Sequence, residues 1–351
     1  MPYAIQTNYS PERNIMHAKE LLASMTQEEK VGQLFIARFP EENAPEIAAH
    51  YHLGGYILFA RDFAHETPES IADKLHRVQS AQKLPMLIGV DEEGGTVNRV
   101  SRFAQYRATP FAEPQAVYAT GGLAAVSDDT AEKCALLRAL GINMNFAPVC
   151  DISTEPDDFM YARAFGQPAA QTADYVRTVV REMRRGGIVS VLKHFPGYGG
   201  TADTHTGIAR DTRPRAVFDE SDLLPFRAGM EEGADIVLVA HNIVECIDAS
   251  RPASISPAVY TLLRAALGED IVAITDDLAM RGLRDFIDDG SAAVAAVVAG
   301  NDLLCCTDFE AQVPAVLRAV RDGVIDEARL NQAVERVLRL KLARKILSAK
   351  A

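Results

Sequence analysis

Short apolar runs alternate with longer amphipathic stretches along most of the chain, the pattern of strand–helix units around a parallel sheet. The apolar runs are Gly32–Ala37, Tyr56–Ala60, Met86–Val90, Met144–Val149, Val189–Leu192, Ile236–Ala240, Ile271–Thr275 and Leu303–Cys306. Between them the spacing predicts helices over Glu69–Gln82, capped by Thr67 with Pro68 in the first turn, over Ala216–Glu232, and over Glu327–Leu347. Eight such units predict an α/β fold, a single-domain TIM-type (β/α)8 barrel over residues 1–351, with residues 1–20 as an N-terminal extension. A doubly wound sheet is the competing arrangement. The polar residues favour the barrel, because one apolar run after another ends in a charged or imidazole side chain: Asp91, Asp151, Lys193-His194, His241 and Asp276-Asp277. In a barrel these strand ends converge on one site.

Composition narrows the chemistry. A net charge of −12 and basic clusters broken by apolar or acidic residues, as in Arg181-Glu182-Met183-Arg184-Arg185, disfavour nucleic acid and anionic lipid. A small-molecule or glycan partner fits better. The longest small-apolar run, Ala292–Ala299, is too short to span a bilayer, and the first ten residues lack the build of a signal peptide. The five cysteines are irregularly spaced and odd in number, which suggests buried thiols in a reducing compartment. The expectation is a cytoplasmic protein with no membrane association. No histidine spacing matches a common metal hydrolase, so no metal and no cofactor are expected. Oligomeric state is not legible, since an apolar stripe can face core or partner equally.

Three segments concentrate candidate chemistry. In Val191–Gly207 an apolar strand delivers Lys193 and His194, and a Gly-rich loop returns with Asp203 and His205, a spacing that lets a carboxylate orient an imidazole. In Ile271–Met280 a strand ends in Asp276 and Asp277; successive residues point to opposite faces, so one carboxylate faces the barrel mouth and the other is free to cap the next helix. In Val90–Arg99 a strand-end Asp91 precedes Gly94-Gly95 and then Arg99, a layout suited to gripping hydroxyls with paired hydrogen bonds.

Taken together, these segments resemble family 3 glycoside hydrolases, in particular single-domain β-N-acetylglucosaminidases of the peptidoglycan-recycling type. The Lys-His-Phe-Pro-Gly hallmark is Lys193–Gly197, and the Asp-Ser-His element is Asp203-Thr204-His205. The Ser/Thr-Asp-x-Leu segment is Thr275–Leu278, Asp-Gln-Glu-Gly-Gly-x-Val-x-Arg is Asp91–Arg99, Arg-x-Phe-Gly is Arg163–Gly166, and Asn-Phe-Ala-Pro-Val is Asn145–Val149. The likeness runs from about residue 20 to the C-terminus, with Met25–Leu34 similar to the family's opening. Two departures stand side by side: Tyr198 where the family often has His, and a loop to Asp203 one residue shorter than the common form.

The resemblance implies a retaining exo-β-N-acetylglucosaminidase acting on small GlcNAc-containing glycans, cell-wall muropeptides or chitooligosaccharides. Asp276 would be the nucleophile, His205 held by Asp203 the acid/base, and Asp91, Arg99, Arg163, Lys193 and His194 the sugar-binding groups. By charge sign, Lys193 could also keep Asp276 ionised. Phosphorolysis of the same bond, and a non-catalytic sugar-binding protein, are the alternatives. The absence of Trp fits a small exo-acting pocket better than a long aromatic cleft.

Overall fold

The computed structural model of the chain describes residues 11–199, 209–280, 283, 286, 287 and 291–348. Each of the eight apolar runs overlaps a strand: β1 Phe35–Arg38, β2 Gly55–Leu58, β3 Leu87–Val90, β4 Met144–Asn145, β5 Val189–Phe195, β6 Ile236–Val239, β7 Val272–Thr275 and β8 Leu304–Cys306. All pair in parallel, in chain order from β1 to β7, with β8 beside β1. The ring closes between β7 and the residue before β8, where Leu303 N donates to Ala273 O at 2.9 Å and Thr275 N to Leu303 O at 3.3 Å. Closure removes the open edges that a doubly wound sheet would keep.

Strand alternation sorts the apolar side chains into two cores. Ile36, Ile57, Leu87, Met144, Val191, Ile236, Ile274 and Leu303 point inward and fill the barrel. Their neighbours Phe35, Tyr56, Ile88, Leu192, Val237, Ala273 and Leu304 point outward into the layer beneath the helices. One inward position, Gly89, must lack a side chain: a Cβ there would sit 2.5 Å from Met144 and 2.7 Å from Phe146.

The helices follow their local signals, with differences at the ends. Thr67 caps Pro68–Ser80 by accepting from Ser70 N at 3.2 Å. The run expected as one helix from Ala216 is broken: a short turn at Arg215–Val217, a widened five-residue turn at Phe218–Asp222, then a helix over Leu223–Glu231. Pro225 supplies no N–H there, and Asp222 is drawn to Arg213 at 3.0 Å. Gly32, expected in the first strand, instead ends the helix Gln27–Gly32. Within the expected N-terminal extension, Pro11–Ser24 forms a helix whose Ala18 is fully buried in the outer core.

The C-terminal helix Glu327–Ala343 seals the end of the barrel away from the strand tips, pushing Val337 and Leu340 into the inner core. Buried Asp302, just before β8, holds it in place by accepting from Arg336 at 3.0 Å and Arg329 at 3.1 Å, and from Arg264 at 2.7 Å. Lys341 on the same helix is fully buried, donating to Gln33 Oε1 at 2.8 Å and Gly54 O at 3.0 Å. Burial away from acids pulls its ammonium down to about 7. Between that value and the ordinary lysine range the unfolded chain holds more protons than the folded one, so this group makes stability rise with pH. Denaturant unfolding from pH 7 to pH 9 should therefore show wild type gaining on Lys341→Met by on the order of 1 kcal/mol per pH unit; parallel pH profiles would contradict it.

Candidate active site

Strand parity decides which polar residues enter the barrel mouth. Leu87 and Gly89 face inward on β3, so Asp91 does too; Ile274 faces inward on β7, so Asp276 follows it. These residues join Arg38, Phe59, Arg99, Arg163, Lys193 and His194 around a pocket of about 340 Å³. Six of the eight residues singled out from sequence thus meet in one place: Asp91, Arg99, Arg163, Lys193, His194 and Asp276. The other two, Asp203 and His205, lie outside the described residues. A larger open depression of about 490 Å³ lies at the sealed end, where Arg339 is already paired with Asp270 at 3.0 Å.

The consecutive acids Asp91, Glu92 and Glu93 do three different jobs. Gly94 and Gly95, both at positive φ, turn the chain back on itself in the small hairpin Glu92–Gly94 with Val97–Asn98. Glu92 is fully buried and accepts the backbone N–H groups of Arg99, Val100 and Ser101 at 2.9, 2.8 and 3.0 Å, which shapes the return strand that carries Arg99. Asn145 at the end of β4 grips the backbone of Glu92 from both sides, at 2.9 and 3.0 Å.

Glu93 is the hub. Its carboxylate pairs with Lys193 Nζ at 2.5 Å and accepts from Arg163 Nη2 at 2.7 Å and Nε at 3.0 Å. Burial alone would push this carboxyl up, but the two cations outweigh it and hold it well below the usual range. Lys193 also donates to Asp91 at 2.8 Å, and against the pull of burial these two acids hold its ammonium above the ordinary lysine value. Lys193 thus pairs directly with both Asp91 and Glu93.

His194 is oriented from behind by Asp151. The Asp151 carboxylate accepts from His194 Nδ1 at 2.6 Å, from His194 N at 3.2 Å and from Tyr198 N at 2.8 Å. A carboxylate only accepts, so Nδ1 carries the proton and Nε2 faces Arg163 Nη2 at 3.3 Å as an acceptor. The Tyr198 ring stands edge-on to His194, 5.2 Å between centres, which is where the departure from the Lys-His-Phe-Pro-Gly-His pattern makes contact. On β7, Asp277 accepts from Ala279 N at 3.0 Å, Thr307 N at 3.2 Å and the Thr307 hydroxyl. Asp276 Oδ1 accepts from Asp277 N at 2.9 Å. Both adjacent acids line the mouth, and Asp277 also ties the end of β7 to the residue after β8.

Sequence reasoning gave no role to Glu93 or Arg38, and it named Asp151 only as one of the converging strand-end residues. Glu93 lies two residues past Asp91, Asp151 ends a strand run, and Arg38 shares the inward parity of Ile36, so each carried a positional signal.

This geometry has counterparts. Residues 26–340 match the family model "Glycosyl hydrolase family 3 N terminal domain". The chain is 34% identical over 281 residues to a β-hexosaminidase of Methylococcus capsulatus, covering 79% of this chain and 82% of that protein. It is 30% identical over 334 residues to β-hexosaminidase LpqI of Mycobacterium tuberculosis, covering 91% and 84%. The structure of a family 3 β-N-acetylglucosaminidase from Paenibacillus sp. superposes with a TM-score of 0.86 at 34% identity, over 93% of this chain and 64% of that longer one.

Replacing Glu93 by Gln would leave Lys193 and Arg163 short of a buried counter-charge. Glu93→Gln should cost about 3 to 5 kcal/mol in denaturant unfolding at neutral pH. Because the folded carboxyl lies below its unfolded value, the gap should hold above about pH 4.3 and close in stronger acid. A gap that closes already near neutrality would contradict the charge assignment.

Proposed function

The chain belongs to glycosyl hydrolase family 3 and is a glycoside hydrolase of the β-N-acetylhexosaminidase type, and from that premise we propose that it is a retaining exo-β-N-acetylglucosaminidase releasing terminal β-linked GlcNAc. One observation carries the reading: an inward carboxylate, Asp276, lines the same small pocket as the charged set Asp91, Lys193, Arg163 and His194. A pocket of this size, at the low end for small-molecule sites, suits one sugar ring better than a chain.

In this reading the ring hydroxyls bind the charged set, whose donors and acceptors are held by one another before substrate arrives. Asp276 attacks the anomeric carbon; the bond from that carbon to the glycosidic oxygen breaks, and a glycosyl ester of Asp276 forms. His205, oriented by Asp203, gives the departing oxygen its proton and then takes one from the water that releases the sugar. The substrate source we favour is a cell-wall muropeptide or a chitooligosaccharide, handled in the cytoplasm. Five free thiols, four of them buried, are in keeping with a reducing compartment. Among the described residues no helix is long and apolar enough to cross a membrane.

Two variants test the assignments. Asp276→Asn should abolish turnover of 4-nitrophenyl β-GlcNAc; near-normal rates would remove Asp276 from the mechanism. His205→Ala should depress hydrolysis of GlcNAc disaccharides by about 100-fold or more while sparing activated aryl glycosides. An equal loss on both substrates would argue against proton transfer by His205.

A further inference from the structure

One guanidinium outside the sugar pocket is engaged on every nitrogen. Arg213 Nε donates to both oxygens of Asp211 at 3.0 Å, and Nη2 donates to Asp211 Oδ2 at 2.7 Å and to Gly197 O at 3.4 Å. Nη1 donates to the two oxygens of Asp222 at 3.0 and 3.3 Å, and the fork lies 4.6 Å from the centre of the Phe218 ring. Asp211 and Asp222 are both buried, so these bonds are charge-assisted and shielded from water. Two of the partners stand at the two ends of one stretch of chain. Gly197 lies two residues past β5, and its neighbour Tyr198 is held through its N–H by Asp151 at 2.8 Å. Gly197 and Gly199, at φ +124° and +52°, lie against the cluster: a Cβ on Gly197 would sit 2.5 Å from Asp222 Oδ1, and one on Gly199 would run into the Arg213 guanidinium. At the other end Arg210–Asp211 pairs in parallel with Ile243–Val244, and Ile243 N donates to Ala209 O at 2.8 Å. Between these ends lie residues 200–208, with Asp203 and His205 among them. The widened turn Phe218–Asp222 completes the cluster by bringing Asp222 and the Phe218 ring to Arg213.

Two carboxylates share this one guanidinium. Burial pushes the Asp222 carboxyl up to about 6 against the pull of Arg213, with Asp151 and Asp211 adding to the rise. Arg213 is the cation of the trio, so its removal would set Asp211 and Asp222 against each other and release Gly197 O. We propose that Arg213 is a positioning residue for proton transfer: by tying Gly197 at the start and Asp211 at the end of that stretch to a common brace at Asp222, it fixes the anchor points from which Asp203 and His205 serve the glycosidic oxygen. The step rests on the glycosidase reading, in which His205 is the acid/base. Arg213 does not line the sugar pocket, so its effect passes through His205. A misplaced proton donor costs rate only as far as the leaving group needs the proton.

The test measures kcat/KM, which reports the step in which the aryl group leaves, for the full chain and for Arg213→Met, Asp222→Asn and His205→Ala. The substrates are 2,4-dinitrophenyl β-GlcNAc, whose aryl group departs without help, and phenyl β-GlcNAc, whose aryl group needs a proton. Arg213→Met should lose about 10- to 100-fold on the phenyl glycoside and about three-fold or less on the dinitrophenyl one, a shallower copy of His205→Ala. Asp222→Asn, a milder change that leaves the Arg213–Asp211 pair in place, should show the same leaving-group dependence to a smaller degree, and it decides the question if Arg213→Met does not fold. An equal loss on both substrates, as a general fall in folded enzyme would give, overturns the proposal, and so does a loss under about two-fold on both. If His205→Ala depends steeply on the leaving group while the Arg213 and Asp222 variants do not, the positioning role falls and the glycosidase mechanism stands. If His205→Ala shows no such dependence, the acid role and the positioning role fall together.

Discussion

A buried carboxylate between two cations is the interaction on which the active end of this barrel depends. Glu93 has almost no contact with water, and an isolated charge there would be expelled or neutralised. It persists because Lys193 arrives from β5 and Arg163 from the segment after β4, each at hydrogen-bonding distance. The pair cannot be loosened cheaply at one point, since freeing either cation leaves a buried charge unmet. Three separate parts of the chain are thereby held in one register, and Asp91 and His194 inherit their positions from it.

The layers behind that cluster follow the same logic through hydrogen bonds rather than ion pairs between carboxylates and guanidinium or ammonium groups. Glu92 satisfies three backbone N–H groups of the turn that presents Arg99, Asn145 fixes the backbone of Glu92, and Asp151 fixes both the ring of His194 and the start of the loop after β5. These side chains are buried or nearly so, where hydrogen bonds are strong and unpaired groups expensive. The consequence is preorganisation: donors and acceptors facing the pocket are already aimed, so little reorganisation remains when a sugar enters.

The two ends of the barrel solve opposite problems. At the sealed end, Val337 and Leu340 exclude water from the inner core while Asp302 anchors the covering helix through Arg329 and Arg336. At the open end, apolar filling stops at Ile57, Leu238 and Cys305, and charged side chains take over the inward positions. The same period of two that packs the lower layers therefore supplies the site, because at this end the inward strand-tip positions are polar and meet in one pocket. Arg38 belongs to this rule as much as Asp91 and Asp276 do.

Much of this was legible in the chain itself. Alternation within short apolar runs marks all eight strands, and residues such as Asp91, Lys193 and Asp276 announce themselves as polar groups at the tips of those runs. That information is local: a strand needs only its own side-chain period, and a motif only its own spacing. The boundaries were less legible, as with Gly32, which completes a helix, and the turn at Phe218–Asp222, widened where Pro225 lacks a donor and Asp222 leans towards Arg213. The pairing of charges was not legible at all. Nothing along the sequence says that Lys193 would meet both Asp91 and Glu93, that Arg163 would share Glu93, or that Asp151 would hold His194. Those outcomes depend on distances between segments up to 102 residues apart, and Coulomb energies inside a protein are set by separation and burial, which exist only once the barrel has closed.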